Sequence, residues 1–229
     1  MKTIGLIGGM SWESTVTYYQ VINETVRNRL GGLHSAKILM ESVDFADIAV
    51  HQFADDWTMC AELVGDAAVR LEKAGADFIV IGTNTMHKVA SAIEARLSVP
   101  LLHIADLTAD VLEAAAIQRV ALIGTKTTMA EPFYKMRLEE RGFEVVVPDE
   151  VGMDTVNRII FEELCQGIFR DDSRKACRAV IADLVQQGAQ GLILGCTEIG
   201  LLIKSEDAAV PLFDTTLIHA KGAALAAMD

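Results

Sequence analysis

Short, nearly continuous apolar runs alternate with longer stretches of helical spacing along this chain. Thr3–Gly9 is β-branched and aliphatic, closed by glycines, and reads as a buried strand. A helix is expected from just after Ser11, over about residues 13–30, stopping at Gly31 and Gly32. Lys37–Val43 reads as a second strand. Asp55–Lys73 sets Met59, Leu63, Ala67 and Leu71 on one helical face and ends at Gly75. Phe78–Gly82 is then a strand, His87–Arg96 a helix, Pro100–His103 a short strand, and residues 105–116 a helix.

After that point the pattern restarts. Arg119–Thr125 resembles Thr3–Gly9 at an offset of 116 residues. Gly188–Glu198 repeats Gly75–Thr85 at an offset of 113, and Val210-Pro211-Leu212 repeats Val99-Pro100-Leu101 at 111. Three matched segments in one order indicate an internal duplication. Alternating strands and helices make each half a parallel-sheet unit with right-handed crossovers. The expected fold is therefore α/β: two pseudo-symmetric parallel-sheet domains with the active site in a cleft between them. The expected domains are residues 1–100 with 213–229, and residues 101–212.

In open parallel sheets ligands gather at the carboxyl ends of strands. Four such ends carry small or polar residues: Gly8-Gly9-Met10-Ser11, Thr83-Asn84-Thr85, Gly124-Thr125 with Thr127 and Thr128, and Cys196-Thr197-Glu198. Their hydroxyls, amides and helix N–H groups can hold a carboxylate. The same residue types also cap helices, and both roles can coexist.

Composition narrows the classes. An apolar fraction of 51% with 23% charged residues suits a globular α/β protein. A net charge of −12 argues against a nucleic-acid partner, whose phosphates need a basic face. No window supplies the ~20 apolar residues of a membrane span, and the N-terminus lacks a leader's apolar core. Cys60, Cys165, Cys177 and Cys196 are too scattered for a disulfide framework or a CxxC metal site. The expectation is a cytoplasmic protein with free thiols, no metal, and no membrane partner.

Among candidate chemistries, Gly8-Gly9-Met10-Ser11 does not fit GxGxxG, and Asp44 lies too far along to be a ribose acid. Cys196 follows a strand and precedes a helix start at Thr197, where a helix N-terminus should lower its pKa toward neutrality. Cys60 and Cys177, within helices, and Cys165, near the end of one, read as inert packing thiols. The surroundings of Cys196 lack a nucleophile-elbow spacing. His219 is the downstream histidine a cysteine hydrolase would need, but the repeat supplies Thr83 as the better partner. Two groups at matching strand ends suit chemistry on both faces of one carbon.

The opening MKTIGLIGGMSWEST, TNTMHK at 83–88, GT at 124–125 and GCTE at 195–198 resemble the aspartate/glutamate racemase family, essentially end to end. The resemblance implies two facing α/β domains, a small amino-acid substrate, no cofactor and a homodimer. It also implies two cysteines that remove and return the α-proton on opposite faces. The second is Cys196, acting on the L enantiomer; the first falls at Thr83, a departure from the family pattern. Asn84, Thr85, Thr197 and Glu198 match the pattern, whereas Ile48 and Cys165 stand where basic residues hold the substrate carboxylates. Met10, Ser11, Gln52, Thr125, Lys126 and Thr128 are the remaining substrate-binding candidates. The alternatives are a single-cysteine enzyme like arylmalonate decarboxylase, and an amino-acid-binding protein that has lost turnover.

Overall fold

A computed structural model describes all 229 residues, Met1–Asp229. The chain forms two compact units: Met1–Ile104 with His219–Asp229, and Ala105–Ile218.

The first unit opens with β1 (Thr3–Gly8), α1 (Trp12–Leu30), β2 (Lys37–Ser42), α2 (Phe45–Phe53), α3 (Trp57–Lys73) and β3 (Phe78–Ile81). A 3-10 turn, Thr85–Val89, and α4 (Ala90–Glu94) follow. Its sheet has the order β2-β1-β3, all parallel. The two-residue alternation of strands splits its core into two layers. Ile4, Leu6, Phe78 and Val80 pack with Tyr18, Ile22 and Val26 of α1 and the alanines at 220, 223, 224 and 227. Ile7, Ile79 and Ile81 pack on the other layer with Val64, Ala67, Ala68 and Leu71 of α3. Helix α1 is delimited as its sequence indicated: the Ser11 side chain accepts from Ser14 N–H, and Gly31 at φ 74° ends it.

Helix α5 (Ile104–Ala114) leads into the second unit, which contains β4 (Arg119–Gly124), α6 (Lys126–Ala130), α7 (Pro132–Glu139), β5 (Glu144–Val146) and α8 (Glu150–Glu162). Next come α9 (Asp171–Gln186), β6 (Gly191–Gly195), α10 (Ile199–Leu202), β7 (Leu212–Asp214) and α11 (Thr215–Met228), whose last ten residues return to the first unit. The sheet order is β5-β4-β6-β7, again parallel. One core layer joins Ala121, Ile123, Leu192 and Leu194 to Val156, Ile159 and Ile160 of α8 and Cys177, Ile181 and Leu184 of α9.

The duplication is visible in individual hydrogen bonds. Asp77 N–H donates to Thr3 C=O at 2.8 Å in the first unit, and Gln190 N–H donates to Arg119 C=O at 2.8 Å in the second. Ile79 N–H meets Pro100 C=O at 2.9 Å just as Leu192 N–H meets Pro211 C=O at 2.9 Å. The second pair corrects one expectation. Pro100–His103 is not a strand but a single bridge, Ile79 to Leu101, whereas its counterpart extends to three pairs as β7. The expected helix His87–Arg96 is likewise a 3-10 turn followed by the five-residue α4, and α2 has no counterpart in the expected pattern.

Candidate active site

In the second unit β6 is buried along its whole length and delivers Cys196 at its carboxyl end. Gly195 sits in register beside Gly124 at the end of β4. A Cβ on Gly124 would lie 2.7 Å from the Gly195 carbonyl, so this approach admits no side chain there. Cys196, Thr197 and Glu198 then form one cluster. The Cys196 thiol donates to Glu198 Oε2 at 3.0 Å, and the Thr197 hydroxyl donates to the same oxygen at 2.8 Å. All three residues are at least nine-tenths buried.

This environment overturns the expectation that a helix start lowers the Cys196 pKa. Burial, followed by the nearby Glu198 carboxylate, pushes the thiol well above its ordinary value. Helix α10 has only four residues, so its dipole is too small to compensate. The Glu198 backbone N–H does favour the thiolate, but it is outweighed. Cys196 is thus a thiol at rest, and nucleophilic or basic sulfur requires a proton acceptor. Glu198, expected from the sequence as a substrate ligand, places its carboxylate oxygen beside the thiol, close enough to take its proton. The i, i+2 spacing within GCTE brings the two side chains together. Cys60 and Cys177 are buried packing thiols: burial raises Cys60, and raises Cys177 to about 11, whereas Cys165 is only half-buried.

The β4 end holds Thr125 and Thr128, both buried, with their hydroxyls 3.0 Å apart. Thr125 also accepts from Thr128 N–H at 3.2 Å, capping α6. Lys126 is drawn to Asp154, 2.6 Å away, so its charge is committed within the unit.

In the first unit the ends of adjacent strands β1 and β3 carry the other candidates. Gly9, at φ 94°, packs so closely that a Cβ would meet the Val43 carbonyl at 2.1 Å. Its N–H donates to Thr15 Oγ1, and a cis peptide joins Met10 to Ser11. Met10 packs in the core with Ile48 and Ile81; Ser11 caps α1 and Gln52 is buried in α2. After β3, Gly82 N–H bonds to Ile7 C=O at 2.9 Å and Thr83 N–H to Ile81 C=O at 2.8 Å. Thr83 is half-buried, while Asn84 and Thr85 are buried. His219 is excluded as a catalytic base. It is fully buried, with Nδ1 2.8 Å from the Tyr18 hydroxyl and Nε2 2.8 Å from Leu102 C=O. No group of three or more His, Cys, Asp and Glu side chains is arranged to hold a metal ion. No helix is long and apolar enough to cross a membrane.

The fold and the GCTE cluster can now be set beside known proteins. The family model for Asp/Glu/hydantoin racemases matches residues 7–223. The chain belongs to that family. As a family member it is an enzyme of the isomerase class, a racemase. The broad specificity amino-acid racemase RacX of Bacillus subtilis (strain 168) is 25% identical over 229 residues, covering 95% of each chain. The crystal structure of a candidate Asp/Glu racemase from Yersinia pestis is 54% identical, with a TM-score of 0.92 over all of both chains. An aspartate racemase homologue from Pyrococcus horikoshii OT3 is 36% identical, with a TM-score of 0.85 over all of both. Within this racemase-family chain, the positions implied to bear basic residues do not hold a cation: Ile48 lies in the core and Cys165 on a half-buried 3-10 turn.

Proposed function

We propose that this racemase acts on aspartate or glutamate without a cofactor, with Cys196 removing the α-proton from the L enantiomer. The observation that carries the reading is the buried Cys196 thiol hydrogen-bonded to Glu198 at 3.0 Å, in a chain of this family. The thiol proton passes to Glu198, leaving thiolate; sulfur then takes the substrate α-proton, leaving an enediolate-like carbanion. The Thr197 hydroxyl, donating to the same Glu198 oxygen, supports the carboxylate before transfer. Carbanion charge needs fixed donors, for which Asn84, Thr85 and backbone N–H groups, that of Thr197 among them, are the candidates.

Thr83 stands in for the family's first cysteine. An alcohol does not ionise near neutral pH, so Thr83 is a poor base, yet it can donate a proton directly or through a water. Enantiomers have equal free energy in water, so forward and reverse kcat/KM must be equal. The asymmetry between thiol and alcohol therefore appears as rapid same-face proton return with slower inversion.

The test is proton NMR of L-aspartate and L-glutamate in D₂O, with chiral chromatography of the product. Loss of the α-proton signal ahead of D-product formation is the expected result. Absence of exchange from either L substrate would remove Cys196 as the base. Release of CO₂ from arylmalonates instead would reassign the enzyme to the single-cysteine decarboxylase class, and thermal stabilisation without exchange would indicate a binding protein.

The same reading includes a cytoplasmic homodimer. Four free cysteines suit a reducing compartment, and α1 leaves Trp12, Val16 and Tyr19 exposed along one face, an apolar stripe that a second copy could cover. A monomer in sedimentation velocity at micromolar concentration would count against the dimer.

A further inference from the structure

The first unit buries three histidines and a tyrosine that the reaction as proposed does not use. His87, His103 and His219 come from distant parts of the chain. Ring centroids of His87 lie 4.5 Å from His103 and 5.8 Å from His219, both edge-on. None is more than 4% exposed, and Tyr18 is fully buried.

Their hydrogen bonds form two short relays with fixed directions. His87 Nδ1 lies 2.8 Å from the Thr83 carbonyl oxygen. A carbonyl only accepts, so Nδ1 carries the proton. Nε2 is then the acceptor, and it takes the Ile104 N–H at 3.3 Å, satisfying a donor in the first turn of α5. In the second relay the Tyr18 hydroxyl donates to His219 Nδ1, and His219 Nε2–H donates to the Leu102 carbonyl. Leu102 N–H in turn bonds to Ile79 C=O at 2.9 Å, tying the relay to β3. Burial and the neighbouring rings keep His87 neutral, as this pattern requires.

We propose that His87 is a positioning residue for Thr83: it clamps the Thr83 carbonyl and thereby fixes the peptide from which the Thr83 hydroxyl projects. The carbonyl at the end of a strand has no sheet partner ahead of it, so a side-chain donor from one turn later sets the peptide plane. Thr83 N–H is already held by Ile81 C=O, and both ends of the residue are then fixed. His103 and His219 hold the His87 ring from its neighbouring sides. The proposal rests on Thr83 acting in inversion, as proposed above.

Two substitutions separate the clamp from simple packing. Asn places an amide donor where Nδ1 sits, so His87→Asn keeps the bond to Thr83 and gives up the one from Ile104. Gln reaches as far as Nε2, so His87→Gln keeps an acceptor for Ile104 N–H and gives up the bond to Thr83. Solvent exchange from the L substrate reads Cys196, and D-product formation reads Thr83. In His87→Gln, inversion should fall about tenfold or more while exchange falls less than about threefold, since small misplacements of reacting groups are costly. His87→Asn should recover inversion to within about threefold of wild type at a comparable Tm. The ¹³C shift of the Thr83 carbonyl, without turnover, should move in the Gln variant and stay in the Asn variant. Equal behaviour of the two variants, or exchange and inversion falling together with Tm, would overturn the clamp. Wild-type enzyme without any exchange would instead overturn the assignment of Cys196, leaving the carbonyl shift to decide for or against the clamp.

Discussion

Replacing Glu198 by Gln separates two roles that predict opposite signs. Gln keeps the size and an acceptor oxygen for the Thr197 hydroxyl, but it removes the charge 3.0 Å from the Cys196 sulfur and cannot take the thiol proton. If Glu198 acts only by repelling the thiolate, its loss makes the sulfur more acidic. Two like charges about 4 Å apart, at an effective dielectric near 20, interact by ~4 kcal/mol. Relief of that repulsion would enlarge the thiolate population, so exchange near neutral pH would rise by up to ~10³-fold. If Glu198 is the acceptor for the thiol proton, exchange should instead fall by about 10²- to 10⁴-fold, the usual contribution of a positioned general base. We expect the fall. The measurement pairs α-proton exchange in D₂O with alkylation of Cys196 by iodoacetamide across pH, resolved by peptide mass spectrometry because Cys165 is also partly accessible. Alkylation should begin at lower pH in the variant even as exchange drops. Unchanged or faster exchange would refute the acceptor role.

Three further outcomes follow from particular contacts. Thr83→Cys should raise the rate of D-product formation relative to α-proton exchange, bringing the two toward equality; an unchanged ratio in the same NMR assay would count against Thr83 acting on the second face. Burial lowers His219 from 6.5 to about 4, so below pH 6.5 the unfolded chain binds a proton the folded chain resists. Its contribution, about 3 kcal/mol, is complete above pH 6.5 and is lost as pH falls toward 4; urea midpoints should decline across that window, and less steeply in His219→Gln. Gly124→Ala would press a methyl group on the Gly195 carbonyl, 2.7 Å away, at a cost of about 1–3 kcal/mol. Because Cys196 is the next residue, its exchange rate should fall further than the Tm loss accounts for, and retained full activity would show that β6 relaxes freely.

The long elements were legible because their physics is local. The aliphatic run Thr3–Gly8 alternates between two core layers, so composition and period announced β1 without reference to partners. Ser11 and Gly31 delimit α1 through their own side chain and backbone freedom. The duplication was legible for the same reason, since equivalent strands must bury equivalent runs. Residues 100–103 misled because Pro100-Leu101 looks like Pro211-Leu212, while the number of ladder bonds each forms depends on what lies beside it.

The sequence by itself determined the α/β repeat, the four polar strand ends, and the matching of Thr83 with Cys196. Only tertiary structure decided what surrounds those residues. The acidity of Cys196 depends on how much of the second unit's core surrounds the sulfur and on where the Glu198 carboxylate turns. The bond from His87 to Thr83 depends on rings drawn from positions 87, 103 and 219. Desolvation and hydrogen-bond direction are set by every group that surrounds an atom, and most of those groups lie far away along the chain.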